Sequence, residues 1–151
     1  MTTVTSLPTQ QSIEEKRRAI KEVCEQITLS CRQTPQPHNI INPGYGGSDQ
    51  LLADILELYG TYTTFFQEFS KKKSRTYPMM DWETLGYLLK WVARRLGHAP
   101  TEAERLAYKA LGVLPDDSQI EGKFGGRKDF AAIYRIIGLP KPGDNYSASN
   151  C

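Results

Sequence analysis

Sliding the chain against itself by 65 residues (85 − 20) lays one series of residues over another: Ile20 on Leu85, Val23 on Leu88, Cys24 on Leu89, Ile27 on Val92 and Cys31 on Leu96. Further along, Pro35 falls on Pro100, Ile55 on Ile120, Tyr59 on Phe124, Gly60 on Gly125, Phe65 on Phe130 and Phe69 on Tyr134. Amphipathic helices of any origin slide into apolar register, so the weight rests on the later pairs. There a proline, an aromatic-glycine pair and two aromatics keep their offsets. A period of this kind restricts the chain to copies of one supersecondary unit. Two diverged units are expected, over residues 12–70 and 81–139, joined by a basic linker at 71–80 and flanked by flexible tails at 1–11 and 140–151.

Each unit reads as four short helices. In the second, Trp82, Leu85, Leu88, Leu89, Val92 and Leu96 recur at three-and-four spacing and predict a helix with one buried stripe, stopped at Gly97. Thr101 with Glu104 forms a capping box that opens the next helix, which turns Leu106, Ala110 and Leu111 inward. Pro115, Asp116 and Asp117 then turn and cap a third helix that buries Ile120 and Phe124 and exposes Gln119, Glu121 and Lys123. A fourth runs from Asp129 to Ile137, with Phe130, Ile133 and Ile137 inward and a stop at Gly138. In the first unit, Ser12 with Glu15 is expected to cap a helix through Cys31. The run RQTPQPHNIINPGYGG reduces the second helix to a loop or one turn, and Ser48 caps a third that ends at Gly60. TYTTFF has β-propensity, but no alternating strand pattern appears, and the expected class is all-α, two tandem units of helix-turn-helix-like arrangement.

At 151 residues, 39% hydrophobic and 24% charged, the chain is long enough to bury a core. No apolar run reaches the roughly 18 residues of a membrane span, and MTTVTSLPTQQS has neither a basic nor an apolar leader region, so a cytoplasmic protein without membrane contact is expected. Cys24 and Cys31 lie seven residues apart on one helix and cannot bridge. They read as core thiols and Cys151 as a tail thiol, with no metal-ligand spacing.

The run LGHAPTEAER, followed by SQIEGKFGGRKDFAAIYRIIGL, resembles the short DNA-binding repeat that accompanies HNH homing endonucleases and occurs in related mobile-element and phage proteins. The positions that carry the resemblance are Leu96, Gly97, Pro100, Thr101, Ser118, Ile120, Phe124, Gly125, Gly138 and Leu139. They cover about one third of the chain, and Gly126 and Arg127 stand near where that family has an aromatic. The resemblance implies helix-turn-helix binding of double-stranded DNA, with one short helix in the major groove. Ser118, Gln119 and Lys123 would then face the duplex, Gln119 with the geometry to pair with an adenine edge. In the first unit Ser48 and Gln50 hold comparable places, but Asp49 and Asp54 oppose phosphate approach.

A net charge of +2 neither requires nor excludes nucleic acid, so local clusters matter more. Lys71, Lys72, Lys73 and Arg75 suit phosphate tracking or a solvated linker equally. Arg94, Arg95, Arg127 and Lys128 flank the recognition surface, and a solvated helix face explains each pair as well. Trp82, Tyr87, Trp91 and Tyr108 read as core or partner packing before base stacking. FGGRKD lacks the ending of a phosphate loop. His38 and His98 sit in loops without a spaced partner, so no enzyme and no cofactor is expected. The reading is a non-catalytic DNA-binding module, and its rival is a helical adaptor for a protein partner.

Overall fold

The computed structural model describes residues 10–72, 80–126 and 128–147, and all of its regular structure is helical. Eight α-helices follow one another: α1 (Gln10–Cys31), α2 (Pro37–Ile40), α3 (Asp49–Tyr59), α4 (Tyr62–Ser70), α5 (Trp82–Leu96), α6 (Glu102–Ala110), α7 (Asp117–Lys123) and α8 (Phe130–Ile137). A 3-10 turn at Pro43–Tyr45 stands between α2 and α3. No helix among the described residues is long and apolar enough to cross a membrane.

Local chemistry accounts for most boundaries. Thr101 Oγ1 accepts from Glu104 N while Glu104 Oε1 accepts from Thr101 N at 2.9 Å, which starts α6. Ser48, Thr61, Asp81, Asp116 and Asp129 cap α3, α4, α5, α7 and α8 through their side chains. TYTTFF is helical because Thr61 caps it and the helix buries Tyr62, Phe65 and Phe66 on one side, a gain larger than its strand preference. The glycine-rich loop has one obligatory position: a Cβ on Gly47 would lie 1.9 Å from the Ile40 carbonyl oxygen, which accepts Ser48 N at 2.9 Å.

Several expectations need correction. Helix α1 is already formed at Gln10, so Ser12 and Glu15 lie inside it rather than at its start; Gln10 and Gln11 are good helix formers with no breaker before Ser12. Val23, Trp82 and Leu106 are 38%, 45% and 54% exposed, and Ala110 is exposed, because each lies at the edge of its stripe or beyond it. On α6 the buried side chain is Arg105 instead. The stretch 140–151 is not a tail throughout: Ala99 N donates to Asp144 O at 2.9 Å, Gly143 N to Ala99 O at 2.8 Å and Tyr146 N to Gly97 O at 3.0 Å, strapping it along the α5–α6 connection. Residues 1–9 and 148–151, and with them Cys151, lie outside the described residues, as does most of the linker.

The two halves correspond closely at their starts. Arg32 and Gly97, 65 residues apart, end α1 and α5 in the left-handed region. Pro35 and Pro100 are buried, and their carbonyls accept Tyr62 OH at 2.6 Å and Tyr134 OH at 2.8 Å. Asn39 Oδ1 accepts from Gln36 N at 2.9 Å, as Glu104 does from Thr101. The second element of the first half is a single turn, α2. Beyond it the register slips, since the later caps Ser48/Asp116 and Thr61/Asp129 stand 68 residues apart (116 − 48, 129 − 61). Phe65 therefore shares its helix position with Ile133 rather than Phe130, and its neighbours are Tyr59, Tyr62 and Phe69, not an arginine.

One cluster of buried side chains runs through both halves. Trp91 is its hinge of contact: fully buried, it donates through Nε1 to Asp49 O at 3.0 Å and meets the Tyr108 ring edge-on at 6.1 Å. Tyr62 N, at the head of α4, donates to Leu111 O at 2.7 Å, so a backbone bond also joins the halves.

Candidate nucleic-acid interface

Helices α6 and α7 are joined by residues 111–116, and one guanidinium locks them together. Arg105 of α6 donates through Nε to Asp117 Oδ1 at 2.9 Å and through Nη2 to Oδ2 at 3.1 Å. Its Nη1 donates to Pro100 O at 3.2 Å and to Tyr134 OH at 3.0 Å, and the group lies 3.6 Å over the Phe130 ring. Burial opposes the charge, but the bonds to Asp117 and Tyr134 outweigh it and hold the guanidinium above its ordinary pKa. Helices α6, α7 and α8 thus meet on a side chain that periodicity alone places at no special position.

Helix α7 buries Ile120 and, at its end, Phe124. It exposes Ser118, Gln119, Gly122 and Lys123, and Lys128 is exposed just before α8. Glu121, expected outside, is half-buried. Three of the acidic residues here cap or brace helices. Asp116 accepts from Gln119 N at 2.9 Å and Ser118 Oγ at 2.8 Å, Asp117 holds Arg105, and Asp129 accepts from Ala131 N at 3.0 Å. Among the described residues Lys123 and Lys128 form no ion pair. Gln119 is less free than its exposure suggests, because its Oε1 accepts from Asp116 N at 3.2 Å. That bond is long and solvent-exposed, and it has to open before the amide can meet a base edge.

The other basic residues divide. Arg94 is turned to the first half, where it grips Asp49 through Nε at 2.8 Å and Nη2 at 3.1 Å, an exposed pair worth at most about 1 kcal/mol. Of Asp49 and Asp54, both expected to oppose phosphates, Arg94 occupies the first, and Gln50 donates to the second at 2.9 Å. Arg95 and Lys72 are exposed, and Lys71 ends α4 in the left-handed region. Lys73, Arg75 and Arg127 lie outside the described residues.

His98, expected to lack a partner, has one: Nε2 lies 2.7 Å from Glu104 Oε2. The capping box folds Glu104 back toward the loop, which sequence spacing does not display. Cys24 is buried among apolar neighbours and its thiol is pushed up to about 12, first by burial and then by Glu25. Cys31 is half-buried rather than core and donates weakly to Gln33 O at 3.4 Å. No group of three or more metal-ligating side chains gathers among the described residues.

The capping carboxylates carry a pH dependence. Asp116 and Glu104 are held below their ordinary pKa chiefly by the backbone N–H groups of Gln119 and Thr101, with Ser118 and His98 adding to the effect. A lowered folded-state pKa stabilises the fold fully above the unfolded value, about 4, and that stabilisation is lost as pH falls through the folded one. Thermal melts should hold steady from neutral pH to about 5 and then fall. Asp116→Asn, which still caps but cannot titrate, should shallow the acid limb; a limb unchanged in that variant would show that the cap does not contribute to it.

Compared with known proteins, the chain matches no family model, no curated protein and no solved structure.

Proposed function

We propose that the protein is a non-catalytic double-stranded DNA-binding module that reads duplex through α7. The observation that carries this reading is the α6–α7 element: a short capped helix with an exposed Ser118, Gln119, Gly122 and Lys123 face, fastened from behind by the bidentate Arg105–Asp117 pair. A helix fits the major groove, and small polar residues let its backbone come close. Asp117 is paired with Arg105, and Lys123 and Lys128 stand exposed beside the α7 face without an ion pair among the described residues, where they can meet phosphate. The resemblance of this segment to the repeat associated with HNH homing endonucleases supports the same reading. The matching caps and proline carbonyls of the two halves support descent from one duplicated unit. In the first half, Asp49 is occupied by Arg94 and the α3 face carries Asp54 and Glu57, so the second half supplies recognition and the first supplies scaffold.

An electrophoretic shift with random duplex tests the reading. Binding at low salt that weakens steeply as salt rises is expected, since phosphate contacts release counterions. Absence of a shift at low salt would overturn duplex binding and leave a helical adaptor for a protein partner.

A further inference from the structure

Three large apolar side chains left open to solvent gather in one groove. Trp82, 45% exposed, Tyr87, 64%, and Ile136, 48%, line it with Gly86 and Ile137, between the first turns of α5 and the end of α8. Leaving an indole, a phenol and an isoleucine together in water forgoes roughly 25 cal/mol for every Å² of apolar surface, and grouped exposure of this kind marks a contact surface. The groove measures about 170 Å³, below the size of small-molecule sites, so it suits a packed protein face better than a ligand.

Its charges identify the occupant. Glu83 and Lys90 line the same groove, seven residues apart on α5. Seven residues are two helical turns, about 10 Å along one face. Among the described residues neither has an ion-pair partner within its own chain. A twofold axis passing midway between them lays α5 antiparallel to the α5 of a second copy. Glu83 of each copy then meets Lys90 of the other, and Tyr87 falls next to the axis. Opposite charges placed symmetrically about an apolar centre are what an isologous contact requires.

We propose that the groove of Trp82, Tyr87 and Ile136 is the interface of a symmetric dimer of this chain, with reciprocal Glu83–Lys90 pairs across antiparallel α5 helices. The inference stands apart from duplex binding and holds or fails without it. Dimerisation through one groove is expected to be weak, within about 1 μM to 1 mM protein.

Sedimentation equilibrium over that range tests it. The average mass should rise from one chain toward two. Glu83→Lys and Lys90→Glu should each weaken dimerisation by about tenfold, because every copy of the pair turns repulsive. The double variant, Glu83→Lys with Lys90→Glu, should restore it, since the pairs form again with signs exchanged. Glu83 lies in the first turn of α5 and Lys90 is half-buried beside Gly138 at the end of α8, so the reversals should lower the melting temperature modestly, and the masses are read well below each melt, where all four proteins are folded. A mass of one chain throughout, a dimer indifferent to the single reversals, or a double variant no better than the singles would overturn the proposal.

Discussion

Arg105→Ala should lower stability by about 3 kcal/mol, at the lower end of the range for breaking a buried ion pair because Asp117 is partly solvated. For a chain of this size that is a fall in melting temperature of about 6 to 12 °C. The loss exceeds that of an ordinary surface charge because several acceptors lose this donor together. Both Asp117 oxygens and Tyr134 OH lose theirs, Pro100 O keeps only Tyr134 OH, and Phe130 loses the cation above its ring. Arg105→Lys should fall between the two, since a lysine keeps the charge but not the fork that serves Asp117 and Tyr134 at once. Urea or thermal unfolding of the three proteins measures this. A shift under about 2 °C for the alanine variant would mean that the guanidinium does not hold α6, α7 and α8 together.

Replacing Lys123, Arg127 and Lys128 together by alanine should leave the fold intact and flatten the salt dependence of duplex binding. Each phosphate contact adds about 0.9 to the slope, so three contacts make the natural chain lose about 40-fold more affinity than the variant between about 50 and 200 mM salt. Replacing Gln119 should leave that slope alone and reduce discrimination between sequences instead, by about 1 to 3 kcal/mol for a bidentate base contact. Titrations of labelled duplex at several salt concentrations separate the two signatures. A folded triple variant with unchanged affinity and slope would remove the α7 face from the DNA reading.

Much of the helical framework was legible in the residues. Thr101 with Glu104, Ser48, Asp116, Gly60, Gly97 and Gly138 act where expected because a cap or stop is made with groups at most a few residues away. The apolar stripes of α5, α7 and α8 were readable for the same reason, since helical periodicity assigns a face without reference to the partner that covers it. Ser12 misled because a capping pair looks the same inside a helix as at its start.

The candidate site was legible only in part. Gln119 and Lys123 stand exposed on α7 as their spacing implies, but the bonds that engage Gln119, Asp116 and Asp117 depend on cap geometry and on Arg105. Arg94 looked like one of two free arginines on a helix face; its partner, Asp49, is 45 residues away in the chain.

Helix positions, caps, breaks and the all-α class follow from the order of residues, because the interactions that set them span a few peptide units. Assembly of the halves around Trp91, burial of Arg105 where an apolar residue was expected, exposure of Trp82, and docking of 141–146 against 97–99 follow from contacts between distant segments. Such contacts form only when helices of fixed length pack at a definite distance and angle, and that geometry depends on side-chain volumes across the whole core rather than on any local pattern.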